Sequence, residues 1–410
     1  MNLVYNSKCW SIWNIKNHFY ITRTGYEPVV QEEISEYNAH NYADPHLTIV
    51  FDVSHDCFLN CTYCFVKRLD TLNEKRKEYK LTDETINNLS SFVESLKKPV
   101  VLIFHGAEPL TNKDGIRKTI EVFESRNLKN VRFEIQTSGY GLDEEFSIFL
   151  HKKNVSIGLS FDGFGENCAR NPNYAIQAMN VLEKLKIPFG IIYLINTTND
   201  SKIFEDFKKL LNYKMFKGVL YNIVETDNLS LLPDLKNVRR NVELLIDYYL
   251  RKRLSITLDP VRLYAERILG RTGSLCYDEN CGAFKWIIGF SMDGKIYGCD
   301  SVIGLEDFLM NSEDFQDNRK KILNLSKKIS DTLGCETCKF NYICRHPCVG
   351  KAYLFSFKSL KHSCEYNKIW LEIFFEYVTR NPALLFYFSK TFFKKYEHSD
   401  LFYKTPKRIS

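Results

Sequence analysis

The sequence predicts an α/β fold in which six βα units form a partial barrel. From Leu47 to about Glu225, short β-rich runs alternate with longer helical patterns, as expected for parallel strands joined by helices. Periodicity alone leaves a doubly wound open sheet as the alternative. The unusual residues favour the barrel, because they follow the ends of the predicted strands, where βα folds gather their chemistry.

The predicted elements alternate regularly along this part of the chain. The six strands are His46–Val53, Val100–His105, Val131–Thr137, Val155–Ser160, Phe189–Asn196 and Gly218–Val224. The helices between them are Thr82–Leu96, Asp114–Arg126, Asp143–Lys152, Tyr174–Leu185 and Lys202–Leu211. A further helix, Asn237–Arg253, is predicted to lead into a cysteine-rich part.

The rest of the chain divides into smaller parts. Met292-Asp293-Gly294 lies between two β-rich runs and predicts a hairpin. A short helix is expected at Gln31–Tyr37, and the end of the chain is helical and aromatic in pattern. We therefore expect an N-terminal extension over 1–45, the barrel over 46–255, a cysteine-rich domain over 256–366 and a helical tail over 367–410.

Composition and charge exclude several classes of protein. The net charge of +6 is small for 410 residues, and between Asn73 and Glu84 lysines are interleaved with acids, as on solvated helix faces. We expect no nucleic-acid partner. The start lacks the pattern of a secretory signal, and no uncharged apolar run is long enough to span a bilayer. The expected location is the cytoplasm, without membrane contact.

The 13 cysteines are the most informative residues. In a chain expected to be cytoplasmic they indicate metal binding rather than disulfides. Three of them form the run Cys57-x3-Cys61-x2-Cys64. Three thiolates ligate three irons of a four-iron cubane and leave one iron open, whereas an electron carrier normally fills all four positions. This triplet therefore predicts an iron–sulfur cluster at which a reaction takes place.

Eight further cysteines follow a second pattern. They are Cys276, Cys281, Cys299, Cys335, Cys338, Cys344, Cys348 and Cys364. By composition, the spacing of the inner four has a chance on the order of one in a million, so the alternative is another metal site. Zinc is that alternative, because Cys-x2-Cys pairs also ligate zinc.

Both patterns resemble a known family. The triplet, with Tyr63 before its last cysteine, resembles the signature of radical S-adenosylmethionine (SAM) enzymes, and the later cysteines resemble the SPASM extension. The resemblance covers about residues 46–366. It implies a partial TIM-like barrel, a SPASM domain, SAM and three 4Fe-4S clusters. It assigns Cys276, Cys281, Cys299 and Cys348 to one auxiliary cluster, and Cys335, Cys338, Cys344 and Cys364 to the other.

The resemblance also implies how SAM is bound. The open iron would chelate SAM, and an electron from the cluster would cleave it to methionine and a 5′-deoxyadenosyl radical that takes hydrogen from the substrate. The family's Gly-Gly-Glu-Pro motif corresponds to Gly106-Ala107-Glu108-Pro109, where Ala107 disfavours positive φ. The implied SAM contacts also include Tyr63, Ser160, Gln136 and Arg170. Capping and turn formation at strand ends are the alternative roles for these residues.

Asp300 directly follows the cluster ligand Cys299. In sulfatase-maturing relatives an acidic residue at this position takes a proton from the substrate, so the resemblance makes Asp300 a general-base candidate. The alternative is that Asp300 accepts hydrogen bonds from neighbouring backbone.

The resemblance implies a polypeptide substrate. We favour a maturase of a ribosomally made precursor peptide that forms a thioether or other side-chain crosslink, because the chain has extra material at both ends. An anaerobic sulfatase maturase that oxidises Cys or Ser to formylglycine is the alternative, and Asp300 favours it. A non-catalytic iron–sulfur or zinc protein is a third hypothesis. A low-potential electron donor such as flavodoxin or ferredoxin is the other expected partner.

Overall fold

The structure is a computed structural model. It describes residues 2–6, 10–15, 18–23, 26–27, 46–269, 281–311, 315–344, 348–390 and 407–408. Cys9, Cys276 and the predicted helix Gln31–Tyr37 lie outside the described residues.

Short strands precede the barrel. They are β1 (Asn2–Asn6), β2 (Trp10–Ile15), β3 (His18–Arg23) and β4 (Tyr26–Glu27). The first three form an antiparallel sheet in the order β1-β2-β3, and β4 pairs with a two-residue strand at Lys407–Arg408. The N-terminal part of the chain is therefore a small β-structure of its own.

The barrel strands follow the predicted runs to within two residues at each end. They are β5 (Leu47–Ser54), β6 (Val100–Gly106), β7 (Val131–Thr137), β8 (Ser156–Phe161), β9 (Phe189–Ile195) and β10 (Phe216–Ile223). Each strand pairs in parallel with the next one along the chain. A doubly wound sheet reverses its strand order. The sequential order excludes that alternative and confirms the partial (β/α)6 barrel.

The helices lie between these strands. They are α1 (Phe65–Leu72), α2 (Asp83–Ser95), α3 (Lys113–Ser125), α4 (Glu144–Lys152), α5 (Asn173–Leu185), α6 (Ile203–Leu210) and α7 (Leu235–Arg251). All except α1 were predicted from the sequence. Side chains begin two of them: Thr82 accepts a hydrogen bond from the amide of Thr85 at 3.1 Å, and Asp143 accepts one from Phe146 at 2.8 Å. Such caps satisfy amides that have no partner within the helix.

The two faces of the sheet differ in polarity. Phe133 on β7 packs edge-on against Phe123 of α3, with ring centroids 5.7 Å apart, so its face is covered by helices. Successive side chains on a strand point to opposite faces. Gln136 on β7 and Ser160 on β8 therefore lie on the other, inner face, where they are only partly buried. This inner face carries the polar residues of the candidate site.

The cysteine-rich part continues the barrel sheet. Strand β11 (Thr257–Asp259) pairs with β10, while β12 (Ile287–Phe290) pairs in parallel with β5 at the other edge. Strand β13 (Ile296–Tyr297) pairs antiparallel with β12 across a turn in which Gly294 has φ of +81°. The predicted hairpin is confirmed. The parallel pairing with β5 was not predicted.

The remaining helices surround the sheet. They are α8 (Val261–Ile268), α9 (Phe315–Leu333), α10 (Asn341–Cys344), α11 (Val349–Leu354), α12 (Phe357–Arg380) and α13 (Leu384–Phe388). Helix α12 runs across the boundary expected near residue 366. Trp370 of this helix is buried and stacks on Tyr221 of β10 with ring centroids 5.5 Å apart, so α12 packs on the barrel. No helix within the described ranges is long and apolar enough to cross a bilayer.

Candidate active site

The cysteine triplet lies in the loop between β5 and α1. Cys57 is exposed, Cys61 is buried and Cys64 is partly buried. Burial raises the pKa of Cys61 to about 11; the nearby Arg170 opposes this, and Cys64 and Cys57 add to it. The thiols are therefore close enough to influence one another electrostatically. Metal coordination deprotonates such thiols outright. Three thiols at the mouth of the barrel fit an iron–sulfur cluster.

A buried polar network lies next to the triplet. Tyr63 donates a hydrogen bond to Asp162 at 2.5 Å, and Arg170 Nε donates to the hydroxyl of Tyr63 at 3.2 Å. Arg170 Nε also lies 3.4 Å from the carboxylate of Asp162, whose side chain is fully buried. Burial raises the pKa of Asp162, and Arg170 and Tyr63 oppose that rise. The network holds Arg170 within electrostatic reach of Cys61.

The sequence placed Asp162 among the unusual residues at the end of the fourth strand but assigned it no role, unlike Tyr63 and Arg170. The signal was an acidic residue two positions after Ser160, directly before Gly163 at the end of β8. The side-chain amide of Asn199 donates a hydrogen bond to the backbone carbonyl of Asp162 at 2.8 Å, and this contact fixes the end of β8.

The turn after β6 is bound to the loop that leads into the triplet. Gly106 has φ of +121°, and a Cβ there would lie 2.5 Å from the carbonyl oxygen of Ser54. Only glycine permits this approach. The amide of Ala107 donates to the same oxygen at 2.9 Å, and that of Glu108 donates to Asp56 at 3.1 Å. Ala107 does not have positive φ, so it causes no strain in the turn.

Glu108 is buried and its carboxylate is saturated by protein donors. It accepts hydrogen bonds from the amide of Leu110 at 3.2 Å, from the amide of Ser138 at 2.9 Å, and from the hydroxyls of Thr137 and Ser138. These contacts join the turn after β6 to the end of β7. The carboxylate of Glu108 thus fixes the position of the turn after β6 relative to the end of β7.

We expect Glu108→Gln to lower the free energy of unfolding by about 1–3 kcal/mol. The side-chain NH2 group of glutamine would replace an oxygen that accepts hydrogen bonds, and it would face N–H and O–H groups that are themselves donors. Urea unfolding of the variant measures this. Glu121→Gln is the matched control, since Glu121 is exposed on α3. An equal effect of the two substitutions would contradict the role given to Glu108.

Asp300 reaches the barrel from the cysteine-rich part. Asp52 on β5 and His105 on β6 are register neighbours. Burial raises the pKa of Asp52 to about 7; Arg76 lowers it, and Asp300 and Asp70 raise it. Burial lowers the pKa of His105, and Asp300 is the largest charge that opposes this. Arg76 lies 3.6 Å from the carboxylate of Asp52 and donates to the carbonyl of Ile303, so the segment that carries Asp300 lies beside the end of β5.

The first group of auxiliary cysteines gathers at the start of α11. Cys348 precedes this helix, and its sulfur accepts from the amide of Lys351 at 3.5 Å. Burial raises the pKa of Cys348 to about 12, and Glu225 and Cys281 add to the rise. The sulfur of Cys299 lies 3.8 Å from the position of a Cβ on Gly350. Cys281, Cys299 and Cys348 are thus brought to one place.

The second group lines a single cavity of about 610 Å³. Its four cysteines are Cys335, Cys338, Cys344 and Cys364. Burial raises the pKa of Cys364 to about 11, and Cys335 and Cys338 are among the nearby charges. In the described part of the chain, no three Cys, His, Asp or Glu side chains meet closely enough to ligate a single ion. Four thiols around a larger volume fit a multi-iron cluster.

A second cavity, of about 540 Å³, opens beside the triplet. It is formed by residues 58–60 and by the loop that leads into α5. Phe58 is 70% exposed and its ring lies 5.1 Å from that of Tyr140, which contacts Tyr174 at 4.9 Å. The volume of this second cavity is within the range of small-molecule sites. Sequence reasoning did not identify these aromatic residues.

Comparisons with known proteins show what the chain is similar to. Residues 52–210 match the Radical SAM superfamily. The cysteine-type anaerobic sulfatase-maturating enzyme of Clostridium perfringens is 25% identical, over 73% of this chain and 88% of that protein. The radical SAM cyclopropyl synthase TigE of Paramaledivibacter caminithermalis is 20% identical, over 73% of this chain and 66% of that protein.

A solved structure shows the same fold. Native anSMEcpe with bound AdoMet and Cp18Cys peptide covers 83% of this chain and 99% of that chain, with a TM-score of 0.63 and 20% identity. The family match begins within β5 and ends with α6, so it contains the triplet, the Gly106 turn and Arg170. The sequence resemblance is thereby confirmed: residues 52–210 form a radical SAM domain, and the chain as a whole is similar to enzymes that contain one.

Proposed function

We propose that the chain is a radical SAM maturase that oxidises a peptide or protein substrate, with Asp300 as the base. The observation that carries this proposal is that the segment with Asp300 lies beside the end of β5, where Arg76 joins Asp52 to the carbonyl of Ile303. Asp300 comes from the cysteine-rich part, whereas the triplet and the Gly106 turn belong to the barrel. A base from one part and a radical source in the other would act on a substrate held between them.

The residues of the barrel bind and orient the cofactors. Cys57, Cys61 and Cys64 would hold the first 4Fe-4S cluster, which supplies the electron that cleaves SAM into methionine and a 5′-deoxyadenosyl radical. The backbone of the Gly106–Ala107 turn would receive the amino group of SAM. Arg170, which contacts Tyr63 and Asp162, would bind the SAM carboxylate.

Further residues complete the proposed cofactor sites. Ser160 and Gln136 lie on the inner face of the sheet, on neighbouring strands, where they would contact the carboxylate and the ribose of SAM. Two auxiliary clusters would be held by the groups around α11 and around the cavity of about 610 Å³. Four cysteines for each cluster, with Cys276 as the fourth of the first group, would leave no open iron, so these clusters would serve electron transfer or folding.

The substrate we favour is a ribosomally made precursor peptide that receives a side-chain crosslink. The small sheet of β1, β2 and β3 supports this, because the outer edges of β1 and β3 pair with no other strand among the described residues. An added strand is a common mode of peptide binding. A flavodoxin or ferredoxin would supply electrons.

A sulfatase maturase is the second candidate. Asp300 favours it, and so does the 25% identity with a cysteine-type anaerobic sulfatase-maturating enzyme. In that reaction the cysteine side chain would lose a hydrogen atom to the 5′-deoxyadenosyl radical, a proton to the base and one further electron to an acceptor such as a cluster, which gives a thioaldehyde. Water would then replace the sulfur, releasing hydrogen sulfide and leaving an aldehyde.

The metal content tests the proposed cofactors. After anaerobic reconstitution with iron and sulfide, we expect about twelve irons per chain, as three four-iron clusters require. Iron analysis and visible absorbance measure this. Bound zinc in the purified chain, with no iron taken up, would support the non-catalytic zinc alternative instead.

Mass spectrometry of peptide products tests the proposed reaction. The reduced enzyme is incubated with SAM and, separately, with a Cys-rich precursor peptide encoded nearby and with a sulfatase peptide. A crosslink removes two hydrogens and retains sulfur, whereas formylglycine formation replaces the thiol sulfur by oxygen. SAM cleavage without a change in either peptide would count against a maturase.

A further inference from the structure

One arginine in a strongly charged segment is buried. Residues Glu74–Glu78 form a single 3₁₀ turn after α1, and four of the five side chains are exposed. The side chain of Arg76, in contrast, is 2% exposed. A buried guanidinium is tolerated only where partners satisfy it. Its contacts therefore indicate what Arg76 does.

Arg76 contacts three separate parts of the molecule. Its Nη2 lies 3.6 Å from the carboxylate of Asp52 on β5, and its Nε lies 3.2 Å from that of Asp70 on α1. Its Nη1 donates a hydrogen bond to the carbonyl of Ile303. The carboxylates of Asp52 and Asp70 thus orient the guanidinium group, and its remaining nitrogen, Nη1, binds a backbone carbonyl of the cysteine-rich part.

The segment that Arg76 binds through Ile303 comprises residues 299–304 and is here called the Asp300 turn. The side-chain amide of Asn73 donates to the backbone carbonyl of Gly304 at 2.7 Å. Gly304 has φ of +88°, and a Cβ there would lie 2.5 Å from Cδ of Arg76. The absence of a side chain at Gly304 permits this close packing.

The opposite side of the Asp300 turn rests on strand β12. A Cβ on Gly289 would lie 2.6 Å from the side chain of Ile303 and 2.7 Å from the carbonyl of Cys299. Gly289 pairs with Val50 of β5. The turn is therefore held between β12 on one side and Asn73 with Arg76 on the other, and Asp300 is part of that turn.

We propose that Arg76 and Asn73 are positioning residues that fix the carboxylate of Asp300 relative to the radical site. This rests on the proposed function, in which Asp300 is the base. Neither side chain needs to touch the substrate. Displacement of a reacting group by about 1 Å can lower a rate by about 10²-fold. Weakening these contacts should therefore impair product formation more than SAM cleavage.

The test uses Asn73→Ala and Arg76→Lys in the reconstituted enzyme. Lysine keeps the charge between Asp52 and Asp70 but lacks the fork that also reaches Ile303. We expect the modified peptide formed per 5′-deoxyadenosine to fall by about tenfold in each variant, with SAM cleavage within about twofold of the wild type. Asn130→Ala is the control, because Asn130 donates the same kind of bond, to the carbonyl of Lys98 at 2.7 Å, before β7 begins.

A measurement without substrate separates this inference from the proposed function. Amide hydrogen exchange in residues 299–309 should rise by about tenfold in both variants, and exchange in β6 and β7 should stay unchanged. Unchanged exchange in the Asp300 turn, or an equal fall in SAM cleavage and product, would overturn the positioning role. If Arg76→Lys fails to fold, Asn73→Ala decides. A wild-type enzyme that modifies no peptide would overturn the proposed function alone, whatever the exchange result.

Discussion

Replacing Cys57, Cys61 and Cys64 together by alanine is expected to abolish SAM cleavage. The three thiols lie in one loop at the mouth of the barrel, and no other described cysteine joins them there except the lone Cys168. Without them the first cluster has no ligands, so no electron reaches SAM. The rate of 5′-deoxyadenosine formation under dithionite should fall to background, a loss of at least about 10³-fold. Chromatography of the quenched reaction measures it.

The same variant tests whether the clusters are separate. About eight of the twelve irons should remain, because the auxiliary groups lie around α11 and α12. Cys168→Ala is the control: its thiol contacts the backbone carbonyl of Asp162 at 3.3 Å and belongs to neither cysteine group. We expect it to retain SAM cleavage and all its iron. Persistent cleavage in the triple variant would refute the assignment of the radical site.

Asp300→Asn should separate SAM cleavage from product formation. Asparagine has nearly the same shape but cannot take a proton at neutral pH. General-base catalysis contributes about 10²–10⁴-fold, so product should fall by at least about 10²-fold while 5′-deoxyadenosine still forms. Both compounds are measured in one reaction by mass spectrometry.

The control for Asp300 lies in the same part of the chain. Asp307 forms an ion pair with Lys321 at 3.2 Å, its side chain is 57% exposed, and it lies outside the Asp300 turn. Asp307→Asn should change neither SAM cleavage nor product. Normal product from Asp300→Asn would show that the carboxylate is only a hydrogen-bond acceptor for nearby backbone, the alternative left open by the sequence.

The barrel was predictable because its signals are local. Each of the six strands is a β-rich run bordered by turn residues, and each predicted helix has one apolar face. The cysteines were predictable for another reason: their spacing is a chemical requirement. One cavity is lined by Cys335, Cys338, Cys344 and Cys364, as the resemblance implied, although Cys364 is distant in sequence from the other three.

The missed residues depend on contacts distant in sequence. The run from Asn73 to Glu84 was interpreted as a solvated face, and this is correct for the neighbours of Arg76 but wrong for Arg76 itself. Burial of this residue depends on Asp52 before it and on Ile303 far after it. The parallel pairing of β12 with β5 is equally non-local. No local pattern distinguishes such residues from a surface charge.

The position of β12 beside β5 also bears on synthesis of the chain. Ribosomes release β5 and its five parallel successors long before β12, and domains fold largely in that order. Until β12 arrives, the strand that leads into the cysteine triplet is an uncovered sheet edge whose residues are all buried in the finished fold, and such an edge is a template for pairing with another chain. Completion of the cysteine-rich part therefore protects the nascent barrel against aggregation, in addition to any part it takes in electron transfer.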